Sequence, residues 1–265
     1  MVEVLAFESI AQAAAALRDR TVYLGGGTLV MRAVNFGDSS IERIVLANDP
    51  SVKAIRTEGN RVVLGSGATM ADVLASKETA FLASVARGIG GPAVRSMATV
   101  GGNLFAQHPY GDFAAAILAL DAKLSLTDGS EIDMGSFLAR RGSLRSLVAR
   151  IQFERPASGE FHFRKMSRVK PKGVSVISIA ALIPNSAGRV SNARIAYCGM
   201  GETPVRASAA EAALEGRTLD PQGIAAAVSA ASAGLAPPDD AIASSWYRKE
   251  VAPVLLRRLL LGEAD

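Results

Sequence analysis

The chain has 265 residues, room for one large domain or two modest ones, and with 49% hydrophobic and 20% charged residues it buries a core rather than staying disordered. A net charge of +4 with no Lys/Arg block argues against nucleic acid as a partner, because such proteins concentrate their charge on one element. The single cysteine, Cys198, excludes an internal disulfide and any cysteine-held zinc or iron–sulfur cluster built by this chain alone, and His108 and His162 have no metal-type spacing.

The elements alternate in short lengths. A helix is expected over 9–18, capped by Ser9. "TVYL" (21–24) reads as a strand ending at three glycines, followed by a helix over 28–35. "RIVLA" (43–47), "VKAIRT" (52–57) and "RVVLG" (61–65) read as strands, the last two joined by the turn "EGN". Helices are expected at 69–75, 78–88 and 112–121. "KLSLT" (123–127) and "EID" (131–133) flank "DGS" as a hairpin, and "SLVARIQFE" (146–154) is a longer strand. "RPASGE" (155–160) has the character of a linker. Three antiparallel strands follow at 160–168, 174–183 and 190–200, then helices at 206–215, 220–233 and about 241–261, with a kink expected at Pro253. Strands and helices with no regular βαβ rhythm indicate an α+β fold. The N-terminus lacks the pattern of a signal peptide and no apolar run reaches the roughly 20 residues that span a bilayer, so a soluble, cytoplasmic protein is expected.

Two glycine stretches carry the chemistry. "YLGGGTL" (23–29) follows a strand and precedes a helix, where free N–H groups suit an anion and glycine lets the backbone approach it. Val30 stands where a Rossmann fingerprint needs its third glycine, and no Gly-Lys-Ser/Thr of a P-loop occurs; alone, the stretch reads as a tight turn. "TVGGN" (99–103) is a second glycine turn. Two such turns can grip one pyrophosphate from both sides, with Thr28, Thr99 and Asn103 as side-chain donors. Asp112 is then placed to accept ribose hydroxyls, or to cap the helix 113–121; the two roles are compatible. "LGSGATMADVL" (64–74) reads as structural, with Thr69 and Asp72 spaced as a capping box. Cys198, in "ARIAYCGM", reads as a buried strand thiol.

In this order, "YLGGGTLVMR", "LGSGATMADV", "IGGPAVRSMATVGGNLFAQHPYGDFAAAILALDAKL" and "GMGETPVRASAAEAALEG" resemble the FAD-binding medium subunit of molybdenum hydroxylases, of the carbon monoxide dehydrogenase and xanthine dehydrogenase type. The resemblance covers nearly the whole chain, and 89–124 is its specific part. It implies the FAD-binding fold of the vanillyl-alcohol oxidase type, two α+β subdomains with FAD between them, followed by a C-terminal three-stranded antiparallel sheet with helices. The boundaries expected are 1–155 for the FAD-binding domain, with subdomains at about 1–50 and 51–155, and 160–265 for the C-terminal domain. It also implies that Leu24, Gly25, Gly26, Gly27, Thr28 and Leu29, with Thr99, Gly101, Gly102 and Asn103, clasp the FAD diphosphate, and that Asp112 contacts the adenosine side. Ile89 and Gly90, with backbone near Val148 and Lys165, would lie by the flavin. No catalytic or metal-ligating side chain is assigned to this chain.

The activity implied is electron transfer. A large partner subunit carries the molybdenum cofactor and a small one two 2Fe–2S clusters. FAD on this chain receives the electrons and gives them to an external acceptor, in a heterotrimer, single or doubled. The sequence departs from the pattern at Leu29, at Ser146, at Lys172–Gly173 and at Pro253. Two alternatives remain. One is a self-sufficient flavoprotein oxidase or reductase on the same fold, although residues 161–265 show one histidine and no catalytic constellation. The other is a scaffold subunit that has lost FAD; bound flavin discriminates it.

Overall fold

The computed structural model describes residues 2–169 and 173–263; Lys172 lies outside the described residues. They divide into two compact units, one running to Ala106 and including Ala122–Glu154, the other formed by Gln107–Asp121 and the chain from Arg155 onward.

The first unit opens with β1 (Glu3–Phe7), α1 (Ile10–Ala15), β2 (Thr21–Tyr23), α2 (Val30–Asn35) and β3 (Arg43–Ala47). The three strands form a parallel sheet of order β1-β3-β2, so these residues are a small βαβαβ unit, a rhythm the sequence pattern did not reveal. The reason is β1: it is half exposed, with Val4 at 58%, and its "EVLAF" has no clean apolar alternation. Ser9 caps α1 as expected, and with Gln12 it closes a capping box, each side chain taking the other's backbone N–H at 3.2 Å.

The same unit continues with β4 (Ile55–Glu58), β5 (Arg61–Gly65), α3 (Met70–Ala75), α4 (Ala83–Arg87), α5 (Pro92–Arg95) and α6 (Val100–Phe105). The strand expected from residue 52 begins at Ile55; Pro50–Lys53 form a 3-10 turn, because Pro50 starts it and the Asp49 side chain accepts the Ser51 N–H. The chain then passes through α7 (Asp112–Ala119) of the second unit. It returns as β6 (Lys123–Leu126), β7 (Glu131–Asp133), α8 (Met134–Arg140) and β8 (Val148–Glu154). An antiparallel sheet of order β4-β5-β8-β6-β7 results, with Val62, Val63 and Leu64 of β5 fully buried next to the central β8. Helix α8 was not expected; Asp133 ends β7 and at once caps the helix through the Ser136 N–H at 2.8 Å.

The second unit holds β9 (Phe161–Ser167), β10 (Ser175–Leu182), a small hairpin of β11 (Asn185–Ser186) and β12 (Arg189–Val190), β13 (Arg194–Cys198) and β14 (Val205–Arg206). Helices α9 (Ser208–Leu214), α10 (Ala225–Ser229) and α11 (Ser245–Leu260) follow, and α11 runs on through Pro253. Its antiparallel sheet has order β14-β13-β10-β9; the two-residue β14 is the strand beyond the three expected. β10 is buried along its whole length because both its faces are covered. Ile177, Ile179 and Ala181 join the core of α9–α11, while α7 packs on β10 and β13. α7, "DFAAAILA", is apolar all round after its first residue, and every residue of it is buried.

Candidate functional site

The first glycine turn leaves β2 with one last tie, the Leu24 N–H to the Val45 carbonyl at 2.8 Å. Beyond it, none of the backbone N–H groups of Gly25, Gly26, Gly27, Thr28 and Leu29 has an acceptor among the described residues. Helical pairing resumes with Met31 N–H on the Gly27 carbonyl at 2.9 Å and Ala33 N–H on the Leu29 carbonyl at 3.0 Å. Gly25 and Leu29 are exposed, but Gly26, Gly27 and Thr28 are half-buried, and N–H donors drawn in from solvent are costly unless something accepts from them. The glycines shape that run. Gly27 sits at φ +72°, where a side chain is strained. A Cβ on Gly26 would lie 1.7 Å from the Met97 carbonyl oxygen, and one on Gly25 2.8 Å from Thr99 Oγ1. Thus the first turn lies directly against the approach to the second.

The second turn is spent differently. "TVGGN" is the start of α6, with Thr99 as its cap: Thr99 Oγ1 accepts the Gly102 N–H at 3.1 Å. The Val100 N–H donates to the Ala68 carbonyl and the Gly101 N–H to the Ser66 carbonyl, both at 2.7 Å. The Asn103 N–H and side-chain amide both donate to the Thr99 carbonyl, at 3.0 and 2.9 Å. Gly101 is small because a Cβ there would meet Ser66 Cβ at 2.9 Å. Arg141, just past α8, holds the last carbonyls of α6, Leu104 and Ala106, at 2.9 and 2.7 Å. The stretch 64–74 is structural as expected: Thr69 and Asp72 form a capping box, and Gly65 lies against the Val52 carbonyl.

Ile89 and Gly90 form the partly buried link between α4 and α5, and Val148 opens β8 with its side chain buried; all lie in the first unit. Asp112 and Lys165 lie in the second unit and face each other, Lys165 Nζ to Asp112 Oδ2 at 2.8 Å. Asp112 is not the helix cap: Gly111 holds that position, and Asp112 is the first residue of α7. Its Oδ1 accepts the Ser175 and Ser178 hydroxyls at 2.6 and 2.7 Å. In a regular strand residues 175 and 178 point to opposite faces; the irregularity between Ser175 and Ile177 brings both hydroxyls to one carboxylate. Cys198 is the buried strand thiol expected; burial pushes its pKa well up, and the neighbouring Asp112 carboxylate adds to this. Among the described residues no group of histidine, cysteine or acidic side chains could hold a metal ion.

Residues 1–153 match the family model described as the FAD binding domain in molybdopterin dehydrogenase, and residues 161–262 match that of the CO dehydrogenase flavoprotein C-terminal domain. The chain belongs to this family of FAD-binding flavoproteins. The carbon monoxide dehydrogenase medium chain of Afipia carboxidovorans is 30% identical to it over 223 residues, 77% of this chain and 75% of that one. The medium chain from Hydrogenophaga pseudoflava is 26% identical over 250 residues, 89% of this chain and 88% of its own. A solved carbon monoxide dehydrogenase from Hydrogenophaga pseudoflava, lacking the Mo-pyranopterin moiety of its cofactor, superposes with a TM-score of 0.89 at 27% identity over 98% of this chain and 96% of that one.

The flavoprotein is therefore an oxidoreductase component of α+β fold whose cofactor is FAD. Its residues fit that group: neutral, closely spaced N–H donors at Gly25–Leu29 match the oxygens of a diphosphate without a counter-charge to desolvate. The contacts made by Ser175, Ser178 and Arg95 around the candidate site were not anticipated from the sequence. The first two were hidden by the strand irregularity. Arg95 had a readable signal, since a side chain ending a one-turn helix leans back over the turn before it, here onto the Gly90 carbonyl.

Proposed function

We propose that the flavoprotein is the electron-transfer subunit of a multi-subunit molybdenum hydroxylase. Electrons arrive from 2Fe–2S clusters on a small partner subunit, a large partner carries the molybdenum cofactor, and an external acceptor takes the electrons from this chain, in a cytoplasmic heterotrimer or its dimer. The observation that carries the reading is the run of five amides at Gly25–Leu29 that have no acceptor among the described residues. The names of the relatives, medium chains of carbon monoxide dehydrogenase, support a multi-subunit setting. The chain's single cysteine, buried in β13, supports clusters held elsewhere.

Bound FAD supplies the redox chemistry. The chain's own residues bind and orient it. Gly25–Leu29 donate to the diphosphate, while Leu24, its N–H held by the Val45 carbonyl, leads the chain into the turn. Thr99–Asn103 hold that turn in place, with Met97 and Thr99 filling the space a side chain on Gly26 or Gly25 would need. Ile89 and Gly90, with backbone near Val148, lie at the flavin end. The Asp112 carboxylate is already shared by two hydroxyls and an ammonium, so its part is to anchor the start of α7 rather than to grip a ribose alone. As no helix among the described residues is long and apolar enough to cross a membrane, no anchor of that kind enters the proposal.

An absorption spectrum of the purified chain, alone and with its partner subunits, after incubation with FAD and desalting, tests this. Flavin bands at about one FAD per chain are expected. A folded chain that never retains flavin, even with partners, overturns the reading and leaves the scaffold. Substrate oxidation by this chain without partners would point instead to the self-sufficient oxidase.

A further inference from the structure

The link between α4 and α5, "RGIGGPAVR", is organised by one side chain. Arg95 Nη1 lies 2.6 Å from the Gly90 carbonyl, 3.3 Å from that of Arg87 and 3.5 Å from that of Ile89. No carboxylate pairs with Arg95 among the described residues, so its charge is held by backbone carbonyls, including one at the C-terminal end of α4, where a cation is favoured. Gly90 is at φ +52°, and a Cβ on it would fall 2.7 Å from Val94 Cγ1, so the link is pressed onto the helix that carries Arg95.

A trans peptide unit points its C=O and N–H in opposite directions. Drawing the Ile89 and Gly90 carbonyls onto Arg95 therefore turns the N–H groups of Gly90 and Gly91 away from it. Neither N–H has an acceptor among the described residues, and Pro92 next in line has no N–H to offer. The result is a pair of adjacent, oriented amide donors at a partly buried link.

We infer that Arg95 is a positioning residue that aims the Gly90 and Gly91 amides at acceptor atoms of the isoalloxazine ring; this rests on the proposed placement of Ile89 and Gly90 at the flavin end. ADP probes the diphosphate grip alone, and FAD probes both ends. With the full chain, Arg95→Ala should weaken FAD by about tenfold, the worth of two modest hydrogen bonds, and ADP by no more than about twofold. The visible circular dichroism of bound flavin should change as well. Arg95→Lys, whose ammonium still reaches a carbonyl, should recover part of the FAD affinity. A purely structural role would weaken both ligands by the same factor, and that result, or no change in either, overturns the inference. If Arg95→Ala does not fold, Arg95→Lys carries the same comparison. If ADP alone binds too weakly to read, an unchanged dichroism of bound flavin overturns the inference and a changed one supports it. A wild-type chain that binds neither ligand overturns the underlying reading and this inference with it, an outcome distinct from equal weakening in the variant.

Discussion

The two glycine turns look alike in sequence and use glycine for different ends. In "LGGGTL" the backbone N–H groups of five successive residues have no acceptor among the described residues. In "TVGGN" those of Val100, Gly101, Gly102 and Asn103 are all taken, by Ala68, Ser66 and Thr99. The first turn is thus a row of donors. The second is a packed bracket, small at Gly101 to fit Ser66 and rigid because Thr99 caps it. A glycine pair in a sequence says that the backbone approaches something closely. Only the count of satisfied N–H groups says whether that something is the protein itself or a ligand.

The strongest way to break this contrast is Gly26→Ala. The added Cβ would fall 1.7 Å from the Met97 carbonyl oxygen, so the turn must shift and its donors with it. Loss of two hydrogen bonds to a charged group, about 3–6 kcal/mol, should raise the FAD dissociation constant at least 100-fold in a fluorescence-quenching titration. Wild-type affinity in this variant would remove the first turn from the site. Asp112→Ala comes next and should act on stability. It removes the carboxylate that pairs with the buried Lys165 ammonium and that accepts two buried hydroxyls, so a loss of about 3–5 kcal/mol is expected in denaturant unfolding. Loss of flavin at unchanged stability would instead return Asp112 to the ribose. Gly101→Ala should cost about 1–3 kcal/mol by overpacking against Ser66, with FAD affinity following only through that loss of folded protein. Thr99→Val, which deletes the acceptor of the Gly102 N–H, should cost about 1 kcal/mol by the same assay.

Why the second turn departs from the first, although the sequence reads them alike, follows from where its acceptors come from. The partners of the second turn, the Ser66 and Ala68 carbonyls, lie more than thirty positions earlier in the chain, on a stretch that reads as structural for its own capping box. No local pattern links them. Strands with strong apolar runs, such as Arg43–Ala47 and Arg61–Gly65, were legible to the residue because burial of both faces leaves few alternatives. β1 was not, since its exposed edge gives no period, and with it the βαβαβ order was lost. Helix α8 escaped because Asp133 serves as the end of a strand and as a cap. Likewise the Asp112 cluster needs a strand irregularity that sequence does not announce.

The smallest expected effect separates backbone donors from titrating side chains. His162, on β9, has its pKa lowered by burial, with a backbone hydrogen bond at Gly159 offsetting part of that. The folded pKa therefore lies below the unfolded value of about 6.5, and as pH falls through that value the unfolded chain takes up the proton first. Stability should decline from about pH 7 to pH 5.5, and His162→Gln should flatten that slope, as followed by thermal unfolding across the range. The amides of Gly25–Leu29 carry no titrating group, so FAD affinity measured on the folded chain should stay level over the same interval. An affinity that falls or rises by tenfold there would mean that an ionising side chain shares the diphosphate, and the first turn would no longer be a site built from backbone alone.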